Sequence, residues 1–255
     1  MIPDPGSAPD GDGPLAGPPT DGRSGGLPIA HWNGGADRGR VGDDHGGATP
    51  GDGDMPSDGQ PGPEGPPAFY FDFRDPESYL AAERVLRTLP VATPWVPVDA
   101  ARLPGPHAWE GFRCAADEQA ARERVARRAA ERGLQPVVWP AEVPFDSTRA
   151  LRAAWYAKEL GRVVSFSLPA FRQAYAGGHD LGSETFVLIA ASAAEMHPRA
   201  ISQALTREPV AAALAVATER AIARGVRTTP AIWTGDRVFH GDDGVDEAAA
   251  RLAVG

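Results

Sequence analysis

Apolar residues cluster beyond residue 66, and their spacing changes along the chain. "AFYFDF" (Ala68–Phe73) is a short aromatic run bounded by Pro67 and by Asp75-Pro76, the pattern of a buried strand. "PESYLAAERVLRTL" follows, with Tyr79, Leu80, Val85, Leu86 and Leu89 at near-helical spacing. "ATPWVPVD" (Ala92–Asp99) predicts a second strand, which Pro94 and Pro97 push toward a sheet edge. The domain therefore opens β-α-β.

A helical stretch comes next. "AADEQAARERVARRAAERG" (Ala115–Gly133) predicts an exposed helix with a glycine stop and a solvated arginine face. After the loop "LQPVVWPAEVPFD" the spacing predicts helices over Ser147–Gly161, Ser167–Gly178, Ser183–Met196 and Glu208–Gly225, several opening on Ser and closing on Gly. Two short β-rich runs, Ala231–Thr234 and Arg237–His240, flank the hairpin dipeptide Gly235-Asp236, and Asp243–Val254 closes the chain as a helix. The order is that of an α/β fold: a thioredoxin-like domain over 67–255, with a helical insertion at about 113–206.

Composition separates a leader from this domain. Residues 1–66 hold 18 of the 30 glycines and 12 of the 26 prolines, with Trp32 the only aromatic residue. Such a segment lacks the apolar area to offset the entropy of ordering, so it is expected to be disordered. It carries 11 acids against three arginines, a net of −8 out of −9 for the chain. The domain is thus nearly neutral, which argues against a nucleic-acid surface or a polybasic membrane patch. Met55 is a candidate natural start, which the intact mass of the native protein would decide.

The first residues show no signal-peptide pattern and no apolar run of 18 residues occurs, so a cytoplasmic location is expected. The single cysteine, Cys114, excludes an intramolecular disulfide, and the six scattered histidines offer no converging metal ligands.

The candidate chemistry lies in "FDFRDPESYL". Asp75 suits an N-cap, Pro76 the first helical position, and Glu77 the positive end of the helix dipole. The same free N–H groups stabilise any anion placed there, so Asp75 is both a cap and a candidate reacting group, with Ser78 one turn in. "GVRTTPAIW" (Gly225–Trp233) is the segment expected to face this mouth, because a Thr229-Pro230 bond at the start of a strand can be cis and present the preceding backbone to a substrate.

These residues resemble the DsbA-like thioredoxin-fold family, which includes 2-hydroxychromene-2-carboxylate isomerases and kappa-class glutathione transferases. "FYFDFRDPESYLAAERV" resembles its first strand and helix, "VPFDSTRALRAAWYAKELGRVVSFSLPAFRQAYAGGHDLG" its helical insertion, "GVRTTPAIW" its cis-proline segment and "RVFHGDDGVDEAAARL" its closing hairpin and helix. Members with disulfide chemistry carry Cys-Pro-X-Cys where this chain has Asp75-Pro76-Glu77-Ser78, so dithiol exchange through the motif is excluded.

The isomerases and transferases resemble Ser-Pro-X-Ser, with the first hydroxyl beside a glutathione sulfur. An ionised Asp75 in that place would cost a thiolate roughly 1–4 kcal/mol at effective dielectrics of 80 to 20. The resemblance further implies that Thr229 and Pro230 offer backbone to a ligand and that Asp243 meets the amino end of glutathione or another low-molecular-weight thiol. Gly244 stands where an arginine is expected after it, and Asp146 stands where relatives often have Asn. It also implies a homodimer.

Two functions follow. One is an oxidoreductase- or isomerase-type enzyme acting on a small molecule, with Asp75 and Ser78 as its reacting side. The other is a catalytically silent thioredoxin-like binding module.

Overall fold

The computed structural model describes residues 65–106 and 109–254. The expected disorder of the leader, the Met55 start and His107 lie outside the described residues, apart from Gly65 and Pro66 at the leader's end. The elements are β1 (Ala68–Phe71), α1 (Pro76–Thr88), β2 (Trp95–Pro97), α2 (Ala115–Glu131), α3 (Thr148–Glu159), α4 (Val163–Tyr175), α5 (Glu184–Ala193), α6 (Pro198–Ala204), α7 (Glu208–Ala223), β3 (Ala231–Trp233), β4 (Val238–His240) and α8 (Gly244–Ala253). A single 3₁₀ turn at Ala100–Arg102 follows β2.

The sheet has the order β2-β1-β3-β4, with β1 and β2 parallel and the other pairs antiparallel. The proline-bearing strand takes an edge, as its missing N–H donors require. Register separates two faces. Phe69 pairs with Trp95 and Ile232, while Tyr70 pairs with Val96 and Ala231. Because side chains alternate along a strand, the first row points to one core and the second to the other.

The larger core contains Phe69, Phe71, Phe73, Tyr79, Phe166, Phe171 and Tyr175, supplied by β1, α1 and α4 and closed by α3, α5 and α8. The smaller one joins Tyr70, Val98, Leu103, Ala221, Val226, Ala231 and Trp233 beneath α7.

Two helical boundaries differ from expectation. α4 begins at Val163, ahead of Ser167, because Gly161 (φ 71°) ends α3 and the chain turns straight back into helix. The β-branched pair Val163-Val164 disguised that first turn. α6 has only seven residues, too few to show periodicity, and its N-cap is His197, whose ring nitrogen accepts from the Arg199 N–H. The helix-opening serines are also not all caps: Ser147 and Ser183 make no capping bond.

Phe171 is fully buried, with ring centroids 4.8 Å from Phe73, 5.7 Å from Phe71 and 6.5 Å from Tyr79. Phe171→Ala is expected to destabilise the fold by about 3–5 kcal/mol, read as a lower urea midpoint at unchanged slope.

Candidate functional site

β1 ends at Phe71, and the chain turns through Asp72, Phe73 and Arg74 into α1. Asp75 is extended (φ −105°, ψ 113°), so its side chain folds over the open end of the helix, where Oδ1 accepts from the Glu77 N–H at 2.9 Å. Oδ2 accepts from two hydroxyls, Ser78 Oγ at 3.1 Å and Thr229 Oγ1 at 3.1 Å.

Thr229 comes from the loop after α7, where Gly225 (φ 87°) ends the helix and the Thr229–Pro230 bond is cis. Gly105 fixes this loop from the other side. Its N–H donates to the Arg227 carbonyl at 2.8 Å, and any Cβ there would collide with that carbonyl and with the Thr228 methyl.

Asp75, Ser78, Thr229 and Pro230 therefore converge, whereas Asp146 and Asp243 neither bond to this group nor line the cleft beside it. Asp146 is exposed at the start of α3, where it accepts from the Thr148 N–H at 2.9 Å, and the hydrogen bonds from Thr148 hold its carboxyl below the usual range. Asp243 precedes α8 and is gripped by Arg128 of α2 at 2.6 Å and by Arg132, the residue that caps α2, at 3.9 Å.

The expectation of a fully solvated arginine face on α2 is thus corrected. Arg128 and Arg132 reach inward to the buried Asp242, which Arg84 of α1 also approaches at 3.7 Å, and Arg122 lies 4.8 Å over the ring of Trp139. A buried carboxylate needs paired cations, and the charge-rich sequence did not show that its partner lay 110 residues away.

The cleft beside Asp75 and Thr229 is small, about 40 Å³, and is walled by Arg74, Trp109, Pro144 and Arg227. Arg74 pairs with Glu110 across its rim. Asp75 is only 7% exposed, and burial, reinforced by the Glu77 charge, pushes its carboxyl well above the ordinary aspartate value; the bonds from Glu77 N–H, Thr229 and Ser78 oppose this. Tyr175, fully buried, donates its hydroxyl to the Phe73 carbonyl at 2.9 Å under the same turn.

Sequence reasoning missed Asp72. It is fully buried, with Oδ1 accepting from Arg74 N–H at 3.1 Å and Oδ2 from Ala100 N–H at 2.8 Å, and so ties the end of β1 to two walls of the cleft. Burial raises its pKa to about 6, against the lowering effect of hydrogen bonds from Ser147, Ala100 and Arg74. The signal was present: an acid set between phenylalanines in a buried run must find donors.

The model of the DSBA-like thioredoxin domain matches residues 68–253. The chain belongs to that family. Among solved structures it is similar to a 2-hydroxychromene-2-carboxylate isomerase, with 22% identity, a TM-score of 0.64 and coverage of 73% of this chain and 95% of that one. It is also similar to the cytosolic disulfide reductase DsbM from Pseudomonas aeruginosa, with 16% identity, a TM-score of 0.53 and coverage of 74% and 97%. At such identities these likenesses show the fold. The comparison with curated proteins finds no match.

The family's dithiol chemistry is closed to this chain at Asp75–Ser78, since its one cysteine, Cys114, is exposed at the start of α2. Among the described residues no group of acids, histidines and cysteines could hold a metal ion, and no helix is long and apolar enough to cross a membrane.

The raised pKa of Asp72 has a definite sign in stability. The folded state holds the proton more tightly than the unfolded chain, so stability is full below the ordinary aspartate value of 3.8 and falls as pH rises through about 6. A shift of this size corresponds to about 3 kcal/mol. Urea unfolding from pH 4 to 7 is expected to show the wild type losing about that much relative to Asp72→Asn, whereas parallel curves would refute the assignment.

Proposed function

We propose that this member of the DsbA-like family is an isomerase-type enzyme that moves a proton on a small molecule through Asp75, with no dithiol step. The observation that carries the reading is the placement of one buried carboxyl between the helix amide and two hydroxyls, at the inner end of a cleft. Burial brings a carboxyl toward the range where it exchanges protons readily near neutral pH.

Asp75 as carboxylate takes a proton from an acidic C–H or O–H of the substrate. Ser78 and Thr229 steady the charge on Oδ2, and the resulting acid returns the proton to a second substrate atom. Both hydroxyls can rotate to accept when Asp75 is protonated. Arg227, which forms no salt bridge among the described residues, gives the mouth a positive charge that suits an anionic substrate, and Trp109 offers a flat apolar wall.

Glutathione fits poorly. The recess of about 40 Å³ takes only the reacting end of a ligand, and Asp243, the residue implied for a thiol's amino end, is held by Arg128 and Arg132. No step is therefore assigned to a thiol, although a protonated Asp75 would remove the repulsion that an ionised one imposes on a thiolate.

One observation favours a silent binding module. Both hydroxyls are already bonded to Asp75 Oδ2, so the carboxyl also acts as a latch between α1 and the Thr229 loop.

Proton exchange distinguishes the two readings. Deuterium uptake from solvent into a panel of enolisable carboxylates, including 2-hydroxychromene-2-carboxylate, is followed by NMR. The wild type is expected to accelerate exchange in at least one compound, with a rate that rises with pH through the raised pKa of Asp75. Asp75→Asn is expected to lower the rate about 10²-fold or more. An inert wild type that still binds panel members would favour the silent module, and undiminished exchange by Asp75→Asn would remove Asp75 as the base.

A further inference from the structure

The two faces of the sheet are unequally covered. Several helices close the Phe69–Phe71 face, whereas the Tyr70–Val96 face is backed by α7, with α3 beside its β2 edge. Between α7, α3 and the β1–β2 pair lies a second cavity of about 680 Å³, which shares no lining residue with the Asp75 cleft. That volume is in the range that encloses a small organic ligand.

Its walls are apolar: Tyr70 and Val96 from the sheet, Trp155 from α3, and a strip of α7 formed by Ala213, Val216 and Ala217. The strip follows helical periodicity, and Val216 is 49% exposed, unusual for a valine flanked by such neighbours. Three cations reach the same space, Lys158, Arg220 and Arg224, and none of the lining residues is acidic.

Lys158 is the only lysine of the chain. Its ammonium donates to the Trp95 carbonyl at 2.8 Å, which leaves two of its three N–H groups for another acceptor. Burial pushes its pKa down, the behaviour of a cation lacking a counter-charge. Arg224 donates to the Tyr70 hydroxyl at 2.8 Å, a neutral partner, and none of the three forms a salt bridge among the described residues. An anion held by these cations would offset the desolvation of Lys158, while an apolar tail would cover the α7 strip.

We propose that this cavity binds a small amphipathic carboxylate, with its head among Lys158, Arg220 and Arg224 and its chain along Ala213, Val216 and Ala217. Arg220 and Arg224 lie at the C-terminal end of α7 and Lys158 at that of α3, and the lining residues of α7 and its cap run from Ala212 to Arg224, roughly 18 Å of helix. An elongated ligand therefore suits the space better than a compact one. Charge complementarity decides the class: an apolar wall alone would accept a neutral hydrocarbon, whereas three cations with no salt-bridge partner among the described residues select an acid.

The test uses the full-length protein and decanoate, titrated calorimetrically and by Trp155-dependent fluorescence. Saturable binding of one decanoate per chain is expected, with 1-decanol about tenfold weaker or worse. Lys158→Met is expected to weaken decanoate about tenfold, the scale of one charge-assisted hydrogen bond. Ala213→Trp, which fills the cavity, is expected to abolish binding, with an unchanged urea midpoint showing that the fold persists. Asp75→Asn is expected to leave decanoate affinity unchanged, which separates this site from the cleft. The proposal is overturned if decanoate does not bind, if decanol binds equally well, or if Lys158→Met and Ala213→Trp both bind like the wild type. It is overturned equally if light scattering shows a dimer that Val216→Glu dissociates, since a second copy would then occupy this face.

Discussion

The bond between Asp75 Oδ2 and the Thr229 hydroxyl joins two parts of the chain that lie 154 residues apart. On one side is the mouth of α1, and on the other the loop that enters β3. Everything attributed to the cleft depends on this closure. It places a carboxyl over free helix amides and shuts water away from it, while two hydroxyls sit within reach of one oxygen. The closure is achieved locally by ordinary means. An extended Asp75 caps the helix, Pro76 occupies the position whose N–H would otherwise lack a partner, and Glu77 supplies the amide that Asp75 accepts from.

Burial gives this closure its chemical character. A capping aspartate on an exposed helix is held charged by the amides. Here desolvation and the nearby Glu77 outweigh three hydrogen bonds, and the carboxyl is held toward its protonated form. Asp72 feels the same burial a few residues earlier and anchors the backbone of Arg74 and Ala100, two residues of the cleft wall. Asp242 is treated differently: three arginines converge on it from α1 and α2, fixing α8 and the end of the hairpin against the first helix. The fold thus buries three acids near one end of the sheet, one neutralised by cations and two held by hydroxyl and amide donors.

Much of this was legible in the sequence because the signals were local. Aromatic density marked β1, Asp75-Pro76 marked the start of α1, Gly235-Asp236 marked the hairpin, and Thr229-Pro230 marked the segment opposite the helix mouth. What stayed hidden was set by distant partners. The buried role of Asp72 depends on Ala100 and Ser147, and the inward reach of Arg128 and Arg132 depends on Asp242. Asp146 and Asp243 carried weight only through resemblance, and the structure gives the first to the start of α3 and the second to the arginines of α2. The short helix α6 had too few residues for its period to register.

The central claim, a buried carboxyl at the helix mouth held toward its neutral form, is tested most directly by ¹³C NMR titration of the Asp75 side-chain carboxyl in protein labelled at aspartate, assigned by comparison with Asp75→Asn. The account predicts a midpoint well above the ordinary aspartate value of 3.8. A carboxyl that titrates at or below 3.8 would show that the amide and hydroxyl donors win over burial, and the proton-transfer reading of the cleft would fall with it.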